Sequence, residues 1–197
     1  ARLFGVHPGV RIVPFRGEYY DLVPEKKGFF TNPVYPVPDP RFPFLGVHFT
    51  RTIHGVLEAG PNAVLAMHRE GYRFWDFSLA DIGSTMTYLG FWKMALRFGR
   101  IGMGEIWRSL NKRAFLKALQ RLAPSLSETD LRVGGSGVRA QALLPDGRLV
   151  DDFMIIQDAG MIHVLNAPSP AATASLSIAQ TIADKAIAQF KLIVRKP

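Results

Sequence analysis

Apolar positions alternate with polar ones through the first third of the chain and recur every three to four residues in the middle, before alternation returns. This predicts strands, then helices, then strands again ahead of a last helix. Arg11–Leu22, rich in Ile, Val, Phe and Tyr, reads as a strand. Residues 32–44 carry Pro33, Pro36, Pro38, Pro40 and Pro43 and read as an extended, unpaired connection. Leu45–Thr52 and Val56–Gly60 then predict a hairpin closed by a two-residue turn at His54-Gly55.

From about Ala80 to Ala123 the period becomes helical, with Ile82, Met86 and Leu89 on one stripe. A second stripe of Phe115, Leu119 and Leu122 is opposed by Lys112, Arg113, Lys117 and Arg121, and Pro124 ends the run. Gly99–Gly104 is glycine-rich and predicts a break between helices. Strands are expected at Val138–Leu144, Leu149–Ile156 and Met161–Leu165, with turns at Asp146-Gly147 and Asp158-Ala159-Gly160. A helix from about Ala174 to Phe190 places Ile178, Ile182, Ala186 and Phe190 on one face expected to be buried. The grouping of elements predicts an α+β fold, with a mixed, largely antiparallel sheet and a helical insert over about 80–123.

Composition narrows the picture. With 197 residues and 48% hydrophobic content, the chain can bury a substantial core. No apolar run approaches the roughly 18 to 20 residues of a membrane span, and the start Ala1-Arg2-Leu3-Phe4-Gly5 lacks a leader's pattern. A soluble, cytoplasmic protein is therefore expected. The absence of cysteine excludes disulfides, thiolate metal sites and thiol nucleophiles. A net charge of +8 invites anionic partners, but the cations are scattered and form no nucleic-acid-binding pattern, so no nucleic acid is expected. Phe91–Phe98 mixes bulky apolar and cationic residues, as a helix on the inner face of a membrane would, and a core-facing helix with snorkelling bases reads the same way.

Four places carry candidate chemistry. In Asn166–Thr173, small residues and two prolines join a strand to a helix; Ser169 can cap that helix, and its positive end suits a negatively charged or electron-rich group, although the segment by itself reads more readily as an ordinary tight loop with a good cap. Arg139 follows Gly134-Gly135-Ser136-Gly137, which reads as a flexible approach to a strand, and its fork suits a carboxylate, either a ligand's or that of Asp151 or Asp152. Arg16 sits in an apolar strand and is expected to look inward, with Glu18 on the opposite face; an exposed edge-strand arginine is the alternative. His48 lies between apolar residues, where a histidine is more often a satisfied core residue than a base. No histidine has metal-ligand spacing, and G-x-G-x-x-G, G-x-x-x-x-G-K-[ST] and H-E-x-x-H are all absent.

Five segments carry a resemblance in register: Ile12–Tyr20, Gly46–Thr50, Gly60–Ala66, Gly137–Leu143 and Asn166–Thr173. Together they resemble the L-2-hydroxyglutarate oxidase/dehydrogenase family, within the D-amino-acid-oxidase-like flavoproteins, over most of the chain. The resemblance implies the C-terminal portion of a longer enzyme whose dinucleotide-binding half lies elsewhere. It implies a substrate-binding domain over residues 1–160, and a strand and helix over 161–197 that complete an FAD-binding domain. The implied reaction is oxidation of a small dicarboxylic 2-hydroxy acid by hydride transfer to FAD, with oxygen or a membrane quinone taking the electrons. An amino acid or another 2-hydroxy acid is the alternative substrate, and a basic binding module the non-enzymatic alternative. His48 becomes the candidate base, with Arg139 and Arg16 for the two carboxylates. Pro168, Ser169, Pro170, Ala171, Ala172 and Thr173 would face the flavin.

Overall fold

The computed structural model describes residues 1–37, 46–167 and 171–193. Seven strands are seen: β1 (Arg11–Leu22), β2 (His48–Arg51), β3 (Leu57–Gly60), β4 (Val64–Leu65), β5 (Leu131–Leu143), β6 (Met154–Asp158) and β7 (Met161–Asn166). Four α-helices accompany them: α1 (Leu79–Met86), α2 (Leu89–Leu110), α3 (Lys112–Leu119) and α4 (Ser175–Phe190). The α+β expectation holds. Every pairing among the described residues is antiparallel, so the expected mixed sheet is not seen there.

The long strand β1 organises the molecule. Along one edge it pairs with β5 from Arg11↔Leu143 to Leu22↔Leu131. The opposite edge is shared, with β4 against Phe15 and Arg16 and β3 against Tyr20 and Asp21, and β2 continues the sheet beyond β3. Two apolar clusters cover this sheet. Val13, Phe15 and Leu143 pack under Phe91 and Met94 of α2, while Leu22, Phe49, Ala59 and Leu131 pack under Phe115 and Leu119 of α3. The stripe predicted for α3 is thus its buried face, down to a half-buried Leu122, whereas Met86 and Leu89 lie exposed and Thr85 is the buried residue of α1.

Several connections differ from expectation. Gly55 N–H donates to the Thr52 carbonyl and Thr52 N–H to the Val56 carbonyl, each at 2.9 Å, so a longer loop replaces the two-residue turn. Positive φ falls on Gly55 alone there, at 77°, and His54 stays in ordinary space. The helix does not break at Gly99–Gly104, because α2 is fixed on both sides of it: Phe91 and Met94 are buried before it, and Glu105 is buried after it, accepting from Ala63 N–H at 3.2 Å. About 1 kcal/mol lost per glycine does not outweigh two such anchors. Leu149 makes a single bridge to Leu143, and β6 begins later than expected, at Met154. Val34 bridges Phe49, so the proline-rich connection is not wholly unpaired; Pro38, Pro40, Pro43 and Leu45 lie outside the described residues.

Gly134 to Gly137 are not a flexible approach. They lie inside β5, where the register shifts opposite Glu18 and Tyr20. The last helix carries no buried residue, and its Ile178, Ile182 and Ala186 are half-covered where a fully buried face was expected. Its N-cap is Ala174, without a side-chain bond; Ser169, the expected cap, lies outside the described residues.

Candidate active site

Alternation along β1 and β5 decides which side chains can meet. Phe15 lies opposite Arg139 and Arg16 opposite Val138. Residues facing each other in an antiparallel pair share a side of the sheet. Arg139, Phe15, Gly17 and Tyr19 therefore belong to one face and Arg16 to the other. On β2, His48 lies opposite Gly60, and a Cβ at Gly60 would come within 3.0 Å of Tyr19 Cδ1. His48, Gly60 and Tyr19 thus form a row across three strands with no side chain at its centre.

A cleft of about 920 Å³ opens over this region. Its wall includes Tyr19, His48, Arg139, Ala167, Ala171 and Ala172. The guanidinium-bearing strand and the turn that leads into α4 therefore border a common hollow.

Asn166 holds the end of β7 in place. It is 3% exposed; its Oδ1 accepts from Ala142 N–H of β5 at 3.3 Å, and its Nδ2 donates to the Asp152 carbonyl at 3.0 Å and the Val150 carbonyl at 3.3 Å. Gln141, also buried, donates to the same Val150 carbonyl at 2.7 Å. These bonds fix the end of β7 beside the segment of β5 that carries Arg139. Pro168, Ser169 and Pro170 lie outside the described residues; Ala171 and Ala172 reach the cleft, and Thr173 continues the turn toward α4.

The charges of the site have definite causes. Burial draws the Arg139 guanidinium down from its ordinary value and the charge of Asp151 opposes this; the group stays cationic at neutral pH, because guanidinium does not deprotonate in proteins. Burial likewise lowers His48, with the hydrogen bond to Gly46 opposing. That bond, Nδ1 to a carbonyl at 3.0 Å, requires the proton on Nδ1, so Nε2 carries the free lone pair. The ring packs against Tyr35, with centroids 4.5 Å apart and planes tilted by 31°. Burial and then the charge of Glu58 push Tyr19 up, which keeps its hydroxyl protonated.

Arg16 lines the same cleft as Arg139 and His48, although the strand register turns its side chain to the other face of the sheet. It looks inward as expected, at 5% exposure, but the expected separation from Glu18 is wrong: residues two apart on a strand share a face, and Arg16 Nη2 donates to Glu18 Oε1 at 2.5 Å. Asn62 completes the group. Its Nδ2 donates to Glu18 Oε2 and its Oδ1 accepts from Glu18 N–H, both at 2.8 Å. The Phe74 ring covers the guanidinium at 5.0 Å. Tyr20 packs on Phe115 in the core, whereas Tyr19 lines the cleft.

The chain matches the FAD dependent oxidoreductase family model over residues 1–185. It belongs to that family. Among similar proteins, the L-2-hydroxyglutarate dehydrogenase of Indibacter alkaliphilus is 53% identical over 181 residues, covering 92% of this chain and 45% of that protein. The mitochondrial L-2-hydroxyglutarate dehydrogenase of Nematostella vectensis is 50% identical over 187 residues, 92% of this chain and 41% of its own length. That of Escherichia coli (strain K12) is 46% identical over 184 residues, 93% and 44% respectively. The chain thus spans about half the length of the curated relatives it matches. No helix among its described residues is long and apolar enough to cross a membrane.

The residues present fit one end of the flavin cofactor. Ala167, Ala171 and Ala172 line the cleft with small side chains, as close approach of a ring would need. The glycine-rich strand-turn-helix that would hold the pyrophosphate is absent from this sequence.

Proposed function

We propose that this chain forms the substrate-facing part of an FAD-dependent enzyme that oxidises L-2-hydroxyglutarate to 2-oxoglutarate. The observation that carries the reading is Arg139, Tyr19 and His48 on one face of the sheet, bordering a cleft whose far wall is the Ala171–Ala172 turn. The similarity to L-2-hydroxyglutarate dehydrogenases supports the choice of substrate. Residues 1–160 are assigned to substrate binding and 161–197 to completing the cofactor domain, a division that falls in the turn between β6 and β7.

Arg139 grips the carboxylate beside C2 with two parallel N–H···O bonds and so fixes that carbon in the cleft. His48, neutral and with Nε2 free, takes the hydroxyl proton as the C–H bond breaks. When bound, FAD supplies the acceptor for the hydride that leaves C2. Ala171 and Ala172 of the cleft wall precede α4, and on this reading the positive end of that helix would favour negative charge on a reduced ring. The protonated Tyr19 hydroxyl, rather than Arg16, donates to the distal carboxylate, since the charge of Arg16 is already answered by Glu18. Oxygen and a membrane quinone are the two electron acceptors compatible with this chemistry.

The test is anaerobic flavin bleaching by the intact protein with a panel of acids. L-2-hydroxyglutarate is expected to bleach fastest, and monocarboxylic 2-hydroxy acids far more slowly. Equal rates with amino acids would transfer the site to the related amino-acid chemistry that Arg139 and the turn also suit.

A further inference from the structure

On the face of the sheet that carries Arg139, Tyr19 and His48, the register runs on to a pair of acids. Asp21 of β1 lies opposite Glu58 of β3, and Glu58 lies opposite Thr50 of β2. Asp21 is two residues from Tyr19 along β1 and Glu58 two from Gly60 along β3, so both acids share the side taken by the row of Tyr19, Gly60 and His48. The step from one row to the next is about 7 Å. Phe15, the partner of Arg139, lies four residues from Tyr19 in the other direction. Guanidinium, hydroxyl and acid pair therefore follow one another along β1.

Among the described residues no cation is bonded to either acid. Asp21 Oδ1 is buried without a hydrogen-bond partner, and it sits so close to Gly134 that a Cβ there would come within 2.7 Å of it. Arg132 stands opposite Asp21 on β5 but is exposed and makes no ion pair with it. Glu58 is half-buried, and burial and then the charge of Asp21 push its carboxyl up. After burial, the charge of Glu58 is what raises Tyr19, so it is felt on the cleft wall. A pair of this kind binds no acid; it repels one.

We propose that Glu58, backed by Asp21, limits the length of acid that the cleft accepts by repelling a carboxylate carried past Tyr19. The inference rests on the reading in which Arg139 grips one end of a diacid and Tyr19 meets the other. A carboxylate that stops at Tyr19 is bonded before it reaches Glu58, whereas one methylene more carries it toward an unanswered negative charge. Discrimination then comes from a cost imposed on the wrong ligand.

The test is titration of the intact, flavin-loaded protein at pH 8, followed by flavin absorbance, with three ligands. They are 2-oxoglutarate, 2-oxoadipate with one methylene more, and 2-oxohexanoate, which has the length of 2-oxoadipate without its second carboxylate. The native protein is expected to bind 2-oxoglutarate more tightly than 2-oxoadipate by about tenfold or more, the effect of one unit charge a few ångströms away near a protein surface. Glu58→Gln is expected to strengthen 2-oxoadipate about tenfold and 2-oxoglutarate less than about threefold, with 2-oxohexanoate unchanged. Asp21→Asn is expected to move the same ratio in the same direction, by about threefold. An unmoved ratio in Glu58→Gln overturns the proposal. So does an equal gain for 2-oxohexanoate, which would mean that the substitution made room rather than removed a charge. Arg139→Lys tells the two readings apart: if it leaves 2-oxoglutarate affinity unchanged, the diacid reading falls and the length limit with it. Weakened 2-oxoglutarate binding in Arg139→Lys beside an unmoved ratio in Glu58→Gln sinks the length limit alone.

Discussion

Glu18→Gln separates a structural arginine from a substrate-binding one. Arg16 is buried and Glu18 is 23% exposed, so the substitution removes the charge that answers a desolvated guanidinium. A hydrogen bond to a charged partner is worth about 1.5–3 kcal/mol against about 0.5–1.5 for a neutral one. Glutamine also keeps only one acceptor oxygen, so either Arg16 or Asn62 Nδ2 loses its partner. The combined loss is about 2–3 kcal/mol, discounted for the exposed edge of Glu18. For a domain of this size that corresponds to a fall in Tm of roughly 5–10 °C. On the proposed reading dicarboxylate affinity should not change, because Arg16, although it lines the cleft, is covered by the Phe74 ring and is not the group that grips the acid. The assays are thermal denaturation of the intact protein and titration with 2-oxoglutarate followed by flavin absorbance. Tighter 2-oxoglutarate binding in the variant would refute the reasoning, since it would mean that Glu18 had been competing with substrate for Arg16.

Arg139→Lys is expected to raise KM for L-2-hydroxyglutarate about 30- to 100-fold, a loss of about 2–3 kcal/mol, because an ammonium cannot reproduce the fork; steady-state kinetics read this, and an unchanged KM removes Arg139 from the site. His48→Ala is expected to slow flavin reduction about 10²- to 10⁴-fold with little change in 2-oxoglutarate affinity, as stopped-flow absorbance and titration will show. With His48 lowered by burial, the base stays neutral through pH 7 and is lost only as pH falls through a value below 6.5, so the acid limb of kcat/KM should lie below that point and vanish in the variant.

What the sequence revealed, and what it did not, follows from the range of each interaction. β1 runs from Arg11 to Leu22 as predicted, because alternation and β-branched content are local properties. The α3 stripe was legible for the same reason. The pairing of Arg16 with Glu18 was also within reach, since residues two apart on a strand lie side by side. Asn62 and Asn166 were not legible as site residues: their partners lie 44 and up to 24 positions away, and a buried asparagine looks like any turn residue until the chain is folded. The glycines of α2 misled for a related reason. They lower helix propensity locally, while the contacts that keep the helix continuous come from β1, β4 and β5.

The placement of Asn166 has a mechanical corollary. Its amide hangs on Ala142, three residues along the same strand from Arg139, so the end of β7 and the segment that carries Arg139 are coupled to one beam. A displacement of β5 would carry Arg139 and the end of β7 in the same sense, and their separation would vary less than the position of either.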